Sequence, residues 1–157
     1  MRKIDFSALE NKGLVRRKNY PNGLSVVKYK AKVFYENLWN IDDKLLQARG
    51  IVLDHKNRVV VQPFYKVFNL NENGTTINPD EAYQVIDKIN GFMFCVTKYG
   101  KEVIYSTTGT LDSAFVELGK KNITPEQVEK LPQGITFIFE VCDESDKHPI
   151  EEKLGIY

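Results

Sequence analysis

Phe92-Met93-Phe94-Cys95-Val96-Thr97-Lys98-Tyr99-Gly100-Lys101-Glu102-Val103-Ile104-Tyr105-Ser106-Thr107 reads as two strands. Phe92 to Lys98 and Glu102 to Thr107 are joined across Tyr99-Gly100-Lys101. β-branched and aromatic runs interrupted by a glycine suit a pleated hairpin. A second hairpin is expected upstream. There the chain turns at Arg49-Gly50 into Ile51-Val52-Leu53, Asp54-His55-Lys56-Asn57 makes the turn, and Val59-Val60-Val61 returns until Pro63 limits it. Leu24 to Phe34 partly alternates apolar and basic residues, which predicts a strand with one wet face. Ile135 to Val141 predicts a buried strand.

Helical signals lie between these strands. Pro79-Asp80-Glu81 predicts the start of a short helix. Leu111 to Lys121 predicts another, with Leu111, Phe115 and Leu118 on its apolar face and Asp112 or Thr110 as its cap. Thr124-Pro125-Glu126-Gln127 starts a third, which Pro132 ends. Antiparallel strands with a few inserted short helices predict the α+β class. Leu154-Gly155-Ile156-Tyr157 resembles a strand that is just beginning, so a truncated chain is expected.

The 157 residues are 42 % apolar and include 9 Phe, 8 Tyr and 1 Trp, enough to build one globular core. This excludes a disordered chain, a collagen-like repeat and a disulfide mini-scaffold. No apolar run approaches the roughly 20 residues that span a bilayer, and Met1-Arg2-Lys3-Ile4-Asp5 lacks a signal-peptide core, so no membrane partner and a cytoplasmic location are expected. Cys95 and Cys142 sit in apolar runs and are expected to be reduced core residues. The net charge of +1 hides a polarity: residues 1–32 hold nine Lys/Arg against two acids, and residues 140–157 hold six acids against two lysines. A basic arm suits a polyanion, because each neutralised phosphate releases counterions.

His55 and His148 stand alone, no Cys/His spacing suits zinc, and no Walker-type phosphate loop is present. Asp87-Lys88-Ile89-Asn90-Gly91-Phe92 is different, because it places a lysine just before a glycine and an apolar strand. A lysine amine is a nucleophile only when deprotonated, and partial burial beside other cations favours that form. Gly91 allows close approach of backbone to a ligand, and Asn90 offers hydrogen bonds to orient the amine. Taken alone, Lys-x-Asn-Gly also makes an ordinary turn.

Four further stretches give this motif a context. They are Ala48-Arg49-Gly50-Ile51-Val52-Leu53-Asp54, Gln62-Pro63-Phe64-Tyr65-Lys66-Val67-Phe68-Asn69-Leu70-Asn71-Glu72, Ser106-Thr107-Thr108-Gly109-Thr110 and Thr136-Phe137-Ile138-Phe139-Glu140-Val141. In this order and spacing, from about Gly23 to Tyr157, the chain resembles the ATP-dependent RNA ligases of the phage T4 RNA ligase 1 type. The wider resemblance is to the covalent nucleotidyltransferases, which include DNA ligases and mRNA capping enzymes. The resemblance implies a ligase-like nucleotidyltransferase fold with antiparallel sheets, incomplete at its C-terminus. Residues 1–157 would then be the N-terminal part of the adenylyltransferase domain, with no second domain.

It also implies roles. Lys88 matches the lysine that takes AMP from ATP, and Gly91 the glycine of its motif. Glu140 matches the carboxylate that contacts the ribose. Arg49 and Lys66 match basic residues near the phosphates, and Phe68 an aromatic beside the nucleotide. ATP and Mg²⁺ are the implied cofactors, and RNA with 5′-phosphate and 3′-hydroxyl ends is the implied partner. The pocket is expected between two antiparallel sheets, with Lys88 at its floor. Three departures accompany the resemblance. Asn90 replaces the usual Asp, as in the distantly related fungal tRNA ligases. Phe92 replaces a usual Ser, and Thr108 lies where a basic residue can stand. The Glu-Gly and paired-lysine motifs that follow the Phe-Glu strand in the family are absent, which leaves a non-catalytic nucleotide- or RNA-binding module as the alternative.

Overall fold

The computed structural model describes residues 1–146 and 152–157; His148 lies outside the described residues. Two four-stranded antiparallel sheets stack face to face. The first contains β1 (Val15–Asn19), β2 (Ser25–Tyr29), β3 (Arg49–Leu53) and β4 (Val59–Val61) in that order. The second contains β5 (Phe92–Tyr99), β6 (Glu102–Thr107), β7 (Thr136–Cys142) and β8 (Gly155–Ile156), in the order β6-β5-β7-β8. Helices α1 (Ser7–Asn11), α2 (Ala31–Tyr35) and α3 (Lys44–Gln47) precede the second sheet, and α4 (Ala114–Lys121) and α5 (Pro125–Glu129) interrupt it.

Strand periodicity explains the layering. Successive side chains on a strand point to opposite faces. On one face of the first sheet, Val27, Ile51 and Leu53 pack with Phe6, Leu9, Val33, Trp39 and Leu45. On the other, Val26, Val52 and Val60 meet Met93, Cys95 and Ile104 of the second sheet. The alternate residues Phe94 and Val96 turn outward and join Val116 and Val141. Three apolar layers therefore separate helix, sheet, sheet and helix, and the α+β expectation holds.

Several local expectations change. The Leu24–Phe34 segment does not continue as a strand, because β2 ends at Tyr29 and Ala31–Tyr35 is helical. Val33 drops into the first core and Phe34 and Tyr35 are exposed, so the basic-apolar alternation there belongs to a helix face. No helix follows Pro79, where the side chain of Asn78 accepts the N–H of Asp80 and closes a turn. Such local hydrogen bonds compete with helix formation. Helix α4 begins later than expected and is capped by Ser113, whose Oγ accepts the N–H of Val116. Its buried face is Val116 and Gly119, while Phe115 is exposed. Strand β7 is half-buried over most of its length, not buried as expected. Helix α5 has the expected start, a full capping box between Thr124 and Gln127. Cys95 and Cys142 are buried free thiols, and burial pushes Cys95 up to about 12, which removes it as a nucleophile at neutral pH.

The β3–β4 hairpin is locked by one buried carboxylate. Asp54 Oδ1 accepts the N–H groups of Lys56 and Arg58 at 2.9 Å each, and Oδ2 accepts Arg58 Nε at 2.6 Å and the Tyr99 hydroxyl at 3.2 Å. Burial raises the pKa, but the bonds from Arg58, Lys56 and Tyr99 outweigh it and hold the group at about 2. Tyr99 ties this turn to β5, so the same carboxylate joins the two sheets.

Two measurements check these interactions. An Asp with a depressed pKa stabilises the fold above its unfolded value of about 3.9, and that contribution is lost as pH falls toward the folded value. Chemical denaturation is expected to show a loss of stability from pH 4 to 2 that Asp54→Asn flattens, and Asp54→Ala is expected to cost about 2–3 kcal/mol at pH 7. A Cβ on Gly119 would lie 2.3 Å from the Phe94 ring. Gly119→Ala is therefore expected to lower stability by about 1–3 kcal/mol through overpacking, read as a shift in denaturation midpoint.

Candidate functional site

A cleft of about 370 Å³ opens where the two sheets part. Arg49, at the start of β3, forms one side. Gly91 and Phe92 at the start of β5, Thr108 after β6, and Glu140 of β7 form the other. Gly50 brings the sheets together here. It has φ +94°, and a Cβ would stand 2.8 Å from the Thr108 backbone. Only a glycine combines that left-handed conformation with such close approach.

The second sheet places Glu140 by register. Met93 pairs with Glu140 and Phe92 with Val141, so the carboxylate emerges on the inter-sheet face beside the first residues of β5. Glu140 Oε1 accepts the N–H of Gly91 at 3.1 Å, and its backbone exchanges two 3.0 Å hydrogen bonds with Tyr157. Gly91 itself lies against β7, where a Cβ would sit 2.2 Å from the Val141 carbonyl oxygen. Arg49 has no carboxylate partner among the described residues; its guanidinium donates to the Tyr65 carbonyl at 3.4 Å.

The remaining expected site residues are elsewhere. Lys88 is exposed, its Nζ donating to Asn90 Oδ1 at 2.8 Å. It does not line the cleft, so the expectation of a lysine at the floor of the pocket, partly desolvated among cations, is not met by this arrangement. The residues before β5 form no strand that would turn the side chain inward. Two residues, Ile89 and Asn90, separate Lys88 from Gly91, three Cα steps with a reach of about 10 Å at most. Asn90 is held by Glu152, whose Oε1 accepts both its N–H at 3.2 Å and its side-chain amide at 2.9 Å. Lys66 and Phe68 are together but outside the cleft. The Lys66 amine lies 4.4 Å from the Phe68 ring centroid and 5.7 Å from that of Trp39, and the Phe68 and Trp39 rings meet edge to face at 5.6 Å. The packing of Phe68 against the first core explains its separation from Arg49.

Phe115 and Thr107 line the cleft although neither was expected there. Phe92 and Phe115 meet edge to face at 5.0 Å and make an aromatic wall, and Thr107 and Thr108 add hydroxyls beside Arg49. The helical spacing that put Phe115 on a core face gave no sign of this. The wall offers an apolar surface to a base, the guanidinium a charge to a phosphate, and the carboxylate an acceptor to sugar hydroxyls. No cluster of three or more His, Cys, Asp or Glu that could hold a metal is present among the described residues. Two carboxylates, Glu140 and Asp146, border the cleft. That set fits Mg²⁺ carried on phosphates, because this ion keeps several waters and needs only one or two protein carboxylates.

No helix among the described residues is long and apolar enough to cross a membrane. No curated protein matches the chain. Residues 47–154, which include Arg49, Lys66, Lys88, Gly91 and Glu140, match the RNA ligase family of the T4 RNA ligase 1 type. The match covers more than half of the 157 residues, and the chain belongs to that family.

Proposed function

We propose that this chain is the adenylyltransferase part of an ATP-dependent RNA ligase, with Lys88 as its nucleophile. What carries the reading is the meeting of Arg49, the Gly91 N–H and Glu140 at one cleft, within a chain of the RNA ligase family. Arg49 holds the ATP phosphates. Glu140 takes the ribose hydroxyls, its Oε1 anchored on Gly91 and its other oxygen left for the ligand. The Phe92–Phe115 wall covers the base.

The deprotonated Lys88 amine forms a bond to the α-phosphorus, and the bond to the bridging oxygen breaks. Pyrophosphate leaves with that electron pair, and the amine proton passes to solvent. AMP then moves to an RNA 5′-phosphate, and a 3′-hydroxyl displaces it to seal the strand. Asn90 accepts a hydrogen bond from the lysine without adding a negative charge. A carboxylate in its place would favour the ammonium form. Bound Mg²⁺ would neutralise charge on the phosphates.

The exposure of Lys88 favours a second reading, a non-catalytic nucleotide- or RNA-binding module, which binds ATP but forms no adduct. Intact-mass analysis after incubation with ATP and Mg²⁺ separates the two. The ligase reading expects a gain of one AMP that Lys88→Ala abolishes; a labelled Lys88→Ala variant rejects the nucleophile assignment. Glu140→Ala is expected to slow adduct formation by on the order of 10- to 100-fold through loss of substrate positioning.

A further inference from the structure

Arg16, Lys28 and Arg49 stand opposite one another on three adjacent strands. Arg16 pairs in register with Lys28 across β1 and β2, and Lys28 pairs with Arg49 across β2 and β3 just past a bulge that skips Gly50. Directly opposed residues project to the same face of a sheet, and like charges there are destabilising. None of the three makes an ion pair among the described residues, although the neighbouring Arg17 reaches Glu10 at 2.8 Å and Lys18 reaches Asp112 at 2.6 Å. Burial, then the charges of Arg16 and Arg49, push the Lys28 amine down from its ordinary value.

The row runs between two depressions. Arg49 ends it at the cleft. Arg16 and Lys28 open into a groove of about 590 Å³ that Lys30, Phe34 and Tyr35 also line, with no acidic residue in its walls. Phe34 is 51 % and Tyr35 81 % exposed, and their rings meet edge to face at 5.5 Å. Gly109, next to cleft-lining Thr108, lies against Arg16; a Cβ there would sit 3.7 Å from Nη2. The groove and the cleft share no lining residue; the strand pairing and the Gly109–Arg16 approach are what place them side by side.

We propose that the Arg16–Lys28–Arg49 row and the Phe34–Tyr35 groove form a track that binds single-stranded RNA and leads its reacting end into the cleft. Three strands about 4.8 Å apart make a row about 10 Å long. Each cation can neutralise one phosphate, so the row meets at most three phosphates of a strand laid along it. Tyr35 and Phe34 offer exposed rings to unstacked bases, which a duplex does not present. The choice of RNA rests on the ligase reading.

Anisotropy of a labelled single-stranded RNA, measured without ATP, tests the track. Arg16→Gln with Lys30→Gln is expected to weaken binding and reduce the slope of log affinity against log salt by about 1.4. Tyr35→Ala is expected to weaken it roughly 5- to 150-fold by loss of a stacked base. Lys101→Gln, an exposed turn cation, is expected to keep the affinity unchanged. Melting temperatures of the Arg16 and Lys30 variants are expected to hold or rise, since a repelling charge is removed. Wild-type affinity in the variants overturns the proposal. So does an equal loss with Lys101→Gln, or duplex RNA binding as tightly as single-stranded RNA. Weakened ATP binding with RNA affinity intact also overturns it, making the row a triphosphate site. Because ATP is absent from the RNA measurement, failure of Lys88 to take AMP leaves the outcome readable.

Discussion

Apolar contact between the two sheets, through Val26, Val52 and Val60 on one side and Met93, Cys95 and Ile104 on the other, is the constraint on which the site depends. Burial of these faces fixes the strand registers, since a slip of one residue would move each strand's inter-sheet side chains to its other face. Fixed registers place Glu140 opposite Met93 and Arg49 opposite Lys28. The cleft is then the place where the sheets separate. Its polar groups come from strand ends, which the sandwich holds more firmly than it could hold a long loop. Asp54 adds a polar tie at the turn of β3 and β4, where Tyr99 from the other sheet completes its hydrogen bonds.

The hairpins were legible because their signals are local. Val, Ile and Phe runs bounded by Gly100 or by Asp54 to Asn57 specify antiparallel pairs without knowledge of the rest of the chain. The errors arose where a longer-range partner decides. Val33 belongs to a helix because Trp39 and Leu45 give it a core to enter. The face of α4 is set by Phe94, which requires Gly119 against its ring and leaves Phe115 to the cleft wall. Pro79 and its acids satisfy the local rules for a helix start, yet Asn78 takes the backbone N–H into a turn and no apolar face follows to be buried.

The same distinction applies to the site. Arg49, Gly91 and Glu140 reach one cleft because each lies at or beside a paired strand. Lys66, Phe68 and Lys88 lie in the long connection from Pro63 to Asn90, where no sheet hydrogen bonds set side-chain direction. Sequence motifs name these residues in the right order, but order along a connection does not determine which way a lysine points. Phe64, Tyr65, Val67, Leu70, Ile77, Tyr83, Val85 and Ile86 in this connection are exposed. So many exposed apolar side chains in one connection are hard to reconcile with a surface that is always bare to water.

The three aligned cations argue in the opposite direction from the sheet core. Packing selects registers that bury apolar faces, and here the register it selects also brings like charges together across three strands. Acids are present elsewhere in the first sheet's surroundings: Glu10 serves Arg17 and Asp112 serves Lys18. A carboxylate beside Lys28 would relieve the repulsion at no cost to the core. Retaining cations without one lowers stability and raises affinity for anions, and proteins commonly accept that exchange at binding surfaces. The position of Arg49, shared between the row and the cleft, extends the same logic to catalysis. A cation already repelled by its neighbours gains more from an incoming phosphate than an isolated one, so the row would strengthen the hold of the cleft on its anionic ligand.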